Sequence, residues 1–600
     1  MTVTRTLFLS VLALLAACQP TYSFEPEQVA EGPGGMVGNG DPITSGTFAG
    51  GDDTLPAARP VGSLPNETRP PNCDADCVAY CNGAGLQNPV NRGLCRSLWG
   101  VGLAHRPIVH AEACRRLFVD MLGRVPGADE AEATCSGGWG ATVKQLMEKD
   151  EFILVQQRRA ADRFLYSNEV TSLQAIYDMD RLVEKLYRGK VPYDLFAAVV
   201  SAHPVLTRRY ADPGDKAEAL FSQFLGRPPF EHERADMSRL YKLWHSGYYD
   251  HPQLGLRLPD AFIRFRCLDD NGQVDQVSRG ECASVLWGYN ELIFTPDLRA
   301  SRDPALREST MWSGLLKPEE WAKLQTPGRI LARDLAFWER AVDDVLMQYL
   351  GYELSARVPE VREELVRWLL AHEGDIRSVH YAVATSAAYL QSAEGASVSA
   401  YRWTYGPLKQ VEAEVWIDSM ARNTGYELPG CDHRISQPEA LLESGSVASF
   451  SVLQTSRWKL DEEGELDERY SGLARTLGGC PENVVGGRFR VVSILTTATQ
   501  LSFVQELCNP TFDAKVKGAA VEKLLPEGMD PSRAVDAALA EQIATHQYRL
   551  LLGRSPDDTE KAEARQAGVE CAASASRCPA EEFARPFCFA LLSSAERVFY

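Results

Sequence analysis

The sequence predicts a mainly α-helical protein: multi-helical hairpin repeats in two domains, with a small β-hairpin element and an N-terminal disulfide knot. Three observations lead there. An apolar stretch at helical spacing that ends in glycine recurs four times along the chain. Composition is that of a globular protein, with 45% apolar and 24% charged residues, and 600 residues exceed what one core usually serves. Of the 15 cysteines, 14 remain once Cys18, directly after a short leader-like segment, is set aside, and an even number in an exported chain reads as disulfides.

The first residues carry one charge, Arg5, then a mostly apolar run over 7–15 and Leu15-Ala16-Ala17-Cys18. A basic end, a short hydrophobic run and small residues before a cleavage point make a secretory signal, here 1–17. The run falls short of the roughly 20 apolar residues that span a bilayer. A cysteine directly after the small residues resembles the lipobox of bacterial lipoproteins, which implies a lipid on Cys18. Several acyl chains, each contributing about 0.8 kcal/mol per buried methylene, hold far better than one. Gln19 in place of aspartate favours the outer membrane, on its periplasmic face or the cell surface.

Residues 18–72 are rich in Gly, Pro, Thr and acidic residues, too poor in apolar surface to offset the entropy of ordering, and read as a flexible tether. A Cys-rich knot follows over 73–108, with Cys73, Cys77, Cys81 and Cys95 in 23 residues. Zinc ligation prefers two cysteines spaced by two residues, so disulfides are expected. No cysteine pair separated by two residues precedes a histidine, so no haem is expected. Cys114 with Cys135, Cys267 with Cys282 and Cys571 with Cys578 form local pairs; Cys431, Cys480, Cys508 and Cys588 complete the disulfide candidates. Loops of that size gain on the order of 3 kcal/mol from closure.

A first helical domain over 109–400 and a second over 401–600 are expected from the repeat. Its punctuation is Gly123-Arg124-Val125-Pro126, Gly226-Arg227-Pro228-Pro229, Gly351-Tyr352-Glu353-Leu354 and Gly553-Arg554-Ser555-Pro556. Glycine can take the left-handed conformation that ends a helix, and proline cannot extend the old helix. Acidic residues then gather where a new helix dipole begins: Asp129, Glu130 and Glu132; Glu231 and Glu233; Glu360, Glu363 and Glu364; Asp557, Asp558 and Glu560. Each copy reads as a helical hairpin. Arg124, Arg227 and Arg554 can bind an anionic ligand, but near helix ends a structural role on carbonyls or a buried carboxylate is the expected one. The main β-prone runs are 449–453 and 484–495, which predict the small hairpin.

These motifs resemble the large planctomycete-type secreted proteins built from paired domains of unknown function. Arg115-Arg116-Leu117-Phe118-Val119-Asp120-Met121-Leu122-Gly123-Arg124-Val125-Pro126 looks like the opening of the first such domain. Pro407-Leu408-Lys409-Gln410-Val411-Glu412-Ala413-Glu414, with Asp418 and Gly425, is similar to the start of the second, and Phe587-Cys588-Phe589-Ala590-Leu591-Leu592-Ser593-Ser594-Ala595-Glu596 to its last helix. Many relatives carry a haem module in front, where this chain has the cysteine knot. The resemblance implies a mostly helical envelope protein and supplies no activity.

The net charge of −19 opposes nucleic acid and bare anionic lipid. No Gly-x-Ser-x-Gly elbow occurs, and His372 and His380 stand eight apart rather than four. Glu414 and Asp418 fall on one helix face and are the candidate catalytic carboxylates, unless solvated or paired with Lys409 or Arg422. Asp269-Asp270-Asn271-Gly272 and the acidic turn of Asp461, Glu462, Glu463, Glu465 and Asp467 lack the twelve-residue calcium pattern. No metal and no cofactor are expected. The expected function is a non-catalytic, lipid-anchored envelope protein that binds or scaffolds another cell-surface protein or polysaccharide. The alternative is an enzyme acting on polysaccharide through Glu414 and Asp418; a redox role is the third reading.

Overall fold

The structure is a computed structural model that describes residues 73, 75–83, 86–97, 107–165, 173–207, 210, 212–241, 264–268, 274–275, 287–290, 325–393, 406–424, 473–474, 476–479, 493–508, 521–574 and 578–600. It is mainly helical, and these residues belong to one compact unit. Cys18, the leader, the tether, both acidic turns, the run 484–492 and cysteines 282, 431 and 480 lie outside the described residues.

The knot contains α1 (Ala75–Cys81) and α2 (Pro89–Ser97). Next come α3 (His110–Leu122), α4 (Ala128–Cys135), α5 (Trp139–Met147), α6 (Asp150–Phe164) and α7 (Leu173–Tyr187). They lead to α8 (Tyr193–Ala202), α9 (Pro204–Thr207), α10 (Pro213–Leu225) and α11 (Glu231–Leu240). After a sheet come α12 (Thr326–Leu331), α13 (Leu335–Leu350), α14 (Leu354–Arg357), α15 (Pro359–Ala371) and α16 (Arg377–Ala384). The C-terminal part holds α17 (Ala413–Thr424), α18 (Ile494–Cys508), α19 (Val521–Leu524) and α20 (Ala537–Gln547). Helix α20 runs into a π-helical turn, Tyr548–Leu552, before α21 (Asp558–Ser574), α22 (Ala580–Leu592) and α23 (Ala595–Val598).

The repeat glycines do what their position demands. Gly123, Gly226, Gly351 and Gly553 stand at φ of 65°, 70°, 73° and 71°, where a side chain costs about 1–2 kcal/mol. In three copies the proline comes one residue before the next helix's cap and fixes an extended entry: Pro126 before Gly127, Pro229 before Phe230, Pro556 before Asp557. The fourth copy differs. After Gly351 it makes the single turn α14, and Pro359 then opens α15.

Two apolar clusters form the body. One spans Val90 to Tyr389; the other joins Val119 and Val125 of the first repeat to residues between Val411 and Leu592. Disulfides pair Cys73 with Cys77, Cys81 with Cys95, Cys114 with Cys135, Cys571 with Cys578 and Cys508 with Cys588. The last closes 80 residues, a loop that the chain-entropy account values at roughly 4–5 kcal/mol. The knot docks on α15, where Arg92 and Arg96 both reach Glu364, at 2.9 and 2.7 Å. Glu364 is therefore a buried anchor, whereas the sequence suggested only a carboxylate complementing the helix start.

Of the β-prone runs singled out in the sequence, 449–453 and 484–492 lie outside the described residues, and the described strands fall in another segment. Strands β1 (Arg264–Leu268), β2 (Val274–Asp275) and β3 (Trp287–Asn290) form an antiparallel sheet in the order β2-β1-β3, with Cys267 opposite Asp275 and Trp287. The β-prone Ile494 and Leu495 instead open α18. Ser493 caps them: its hydroxyl accepts from Thr496 N at 3.1 Å, and Thr496 Oγ1 accepts from Ser493 N at 2.8 Å. This reciprocal cap overrides the local strand preference.

Candidate functional site

The arginines after the repeat glycines are clamps. Arg124 holds Glu130 through two hydrogen bonds of 2.6 Å, Arg227 holds Glu233 at 2.7 and 2.8 Å, and Arg554 holds Glu560 at 2.8 and 2.6 Å. In each case the glutamate lies six residues on, in the first turn of the next helix. It thereby tethers the arginine while sitting at the positive end of the dipole. Glu233 and Glu560 also accept from the backbone of Phe230 and Asp557, both at 2.8 Å. An aromatic ring six residues before each arginine lies under its guanidinium: Phe118 at 5.4 Å, Phe221 at 5.4 Å and Tyr548 at 5.0 Å.

A second carboxylate from a later helix or its cap completes each clamp: Glu151 at 2.6 Å from Arg124, Asp334 at 3.7 Å from Arg227, Glu596 at 2.7 Å from Arg554. Burial pulls the Arg124 guanidinium down, but Glu130 and Glu151 outweigh it and raise it overall. The pairing holds Arg554 above the ordinary arginine range and Glu560 below the ordinary carboxylate range. These residues are structural. The spacing aromatic-x5-Arg-x5-Glu was visible in the sequence and would have disclosed the clamp. In the fourth copy Leu346, Tyr352 and Val358 occupy the three places, so ring, cation and anion are all replaced.

Beside that fourth turn lies a buried polar seam. Asp120 of α3 is fully buried and pairs with Lys409 Nζ, which also donates to Gln348 O at 3.0 Å. The hydroxyls of Tyr389 and Tyr600 donate to Asp120 at 2.9 Å each. The Lys409 chain runs against Gly351, where a Cβ would meet its Cγ at 2.5 Å. Desolvation lowers the Lys409 ammonium to about 8, against the pull of Asp120. Lys409 thus serves Asp120, not Glu414 or Asp418 as the sequence suggested. Nearby, His380 is buried, contacts Tyr349 Oη at 3.1 Å, and is lowered to about 3 by desolvation and then by Arg159.

Glu414 is fully buried in α17, packed against Gly479. Asp418 sits one turn on in the same helix, and its side chain lies outside the described ones. Glu414 does not line the cavity described next.

A partly enclosed cavity of about 440 Å³ opens between α6, α7, α8 and α13, a size suited to a small molecule. Its polar wall is Gln156, Arg159, Arg163, Tyr187, Tyr193 and Asp344, and its apolar wall includes Phe164, Val183, Leu186 and Phe196. Arg163 is fully engaged: it pairs with Asp344 at 2.9 Å, donates to Tyr193 Oη at 3.2 Å and bonds Gln223 O. Burial pulls Arg163 down, but Asp344 together with Tyr193 and Tyr187 outweighs it; burial in turn raises the Asp344 carboxyl. Its sign in the sequence is faint, the polar run Gln156-Gln157-Arg158-Arg159 in a helix with an apolar face. Its other walls come from helices up to 190 residues away in sequence, too far apart for spacing to connect. No protein-family model, no curated protein and no solved structure matches the chain.

Proposed function

We propose that this protein is a lipid-anchored, non-catalytic component of the bacterial envelope that binds or scaffolds another cell-surface component, within the planctomycete-type family its motifs resemble. The observation that carries the reading is the cavity on α6. It offers hydrogen-bond donors from a rigid wall, while the repeated charged residues serve to close helical hairpins. The lipobox-like Leu15-Ala16-Ala17-Cys18 supports the anchor, and the Gly- and Pro-rich composition of 18–72 supports its reading as a tether.

The test combines location and binding in cells. A Cys18→Ala variant loses acyl labelling and leaves the membrane fraction, and a photo-cross-linking residue at the exposed Met347 on the cavity rim captures an envelope component. Unchanged acylation of the variant would overturn the anchor. Absence of any adduct would overturn binding through this face.

A further inference from the structure

Four guanidinium groups beside the cavity share two carboxylates. Arg158 and Arg159 approach Glu412 at 2.8 and 3.4 Å; Arg163 and Arg340 approach Asp344 at 2.9 and 2.8 Å. Glu412 is already well bonded by Arg158. Arg159 has only the longer approach, and makes no hydrogen bond among the described residues. Two neutral donors line the same cavity. The amide nitrogen of Gln156, a residue 2% exposed, is buried with no acceptor among the described residues, and the half-buried Tyr187 places its phenol in the same lining.

A buried donor without an acceptor is destabilising, so the Gln156 amide nitrogen and Arg159 Nε, with the Tyr187 hydroxyl in the same lining, point to a ligand that supplies acceptors. The surplus of cations sets its charge, and the Phe164, Phe196, Val183 and Leu186 wall sets its body. We infer that the cavity binds a small carboxylate with an apolar body, its carboxylate received by Arg159, Gln156 and Tyr187. A neutral ligand leaves Arg159 with only the carboxylate it shares with Arg158, and a cationic ligand meets like charge. Arg163 stays on Asp344 and holds the wall in place.

The inference rests on the reading of the body as a binding module, and its test is independent of the anchor. Full-length protein in non-ionic detergent is titrated calorimetrically with 3-phenylpropanoate, octanoate and 3-phenylpropanamide. The expected result is at least tenfold tighter binding of one carboxylate than of the amide, with that preference lost in Arg159→Gln and weakened in Gln156→Leu. The two carboxylates separate an aromatic from an aliphatic body. Equal binding of acid and amide, no binding of any probe, or a preference unchanged in both variants would overturn the inference. The near-isosteric Gln156→Leu keeps the test decisive should Arg159→Gln fold poorly. A cross-linked adduct at Met347 with no carboxylate binding would leave the scaffold reading standing and remove only this one.

Discussion

The first, second and last repeat copies and the third in sequence solve one problem by different means. Around Arg124, Arg227 and Arg554 the turn after the glycine is fastened by a local triad of ring, guanidinium and glutamate, all within thirteen residues and partly in contact with water. Around Gly351 the corresponding places are Leu346, Tyr352 and Val358, and the nearby cation is Lys409, buried on Asp120 from two distant segments. The glycine device is common to all four because backbone sterics demand it. The fastening follows burial: a local ion pair suffices where solvent screens the charges, and a seam within the core needs a fully bonded one.

Breaking the buried fastening has the largest expected effect. Lys409→Met leaves Asp120 in the core with only two tyrosine hydroxyls, and removal of one partner of a buried pair costs about 3–5 kcal/mol, read from urea unfolding with disulfides intact. Adding Asp120→Asn to that variant should recover a large part of the loss. A single variant as stable as the parent would show that the seam does not hold the two clusters together.

The same seam sharpens the comparison through pH. His380 stays neutral in the folded state down to about 3, whereas in the unfolded chain it takes a proton near 6.5. Between those values the unfolded state binds more protons, so stability is fully present above 6.5 and falls on acidification. The loss from this one group is about 1.5 kcal/mol between pH 6.5 and 5. His380→Gln should flatten that stretch of the stability profile, and an unaltered slope in the variant would place the acid sensitivity elsewhere. The clamps of Glu233 and Glu560, two carboxylates held below the ordinary range, lose stability only at lower pH.

The smallest effect belongs to the most exposed clamp. Arg227→Gln should cost under about 1 kcal/mol and less still in high salt, because its guanidinium and its Glu233 partner are 29% and 22% exposed. Thermal unfolding at low and high ionic strength reads it. A loss comparable to that of Lys409→Met would erase the distinction between the two fastenings.

Much of this was legible because it is local. The glycine stops, the proline re-entries and the acidic helix starts fall within a dozen residues of one another, so the hairpins could be read directly. The Cys114–Cys135 and Cys571–Cys578 pairs were readable for the same reason. Glu364 was misread because its partners Arg92 and Arg96 lie some 270 residues away. Ile494 and Leu495 were misread because a cap of two hydroxyls at Ser493 and Thr496 outweighed their strand preference.

By itself, then, the sequence determined the mainly helical class, the places where helices stop and restart, and the cysteine-stapled body, all features governed by backbone sterics and short-range pairing. Only the tertiary structure decided that Asp120 meets Lys409, that Cys508 meets Cys588, and that Gln156, Arg159 and Tyr187 line one cavity. Those meetings depend on how helices from distant segments pack, and no local spacing encodes which buried donor is left without an acceptor.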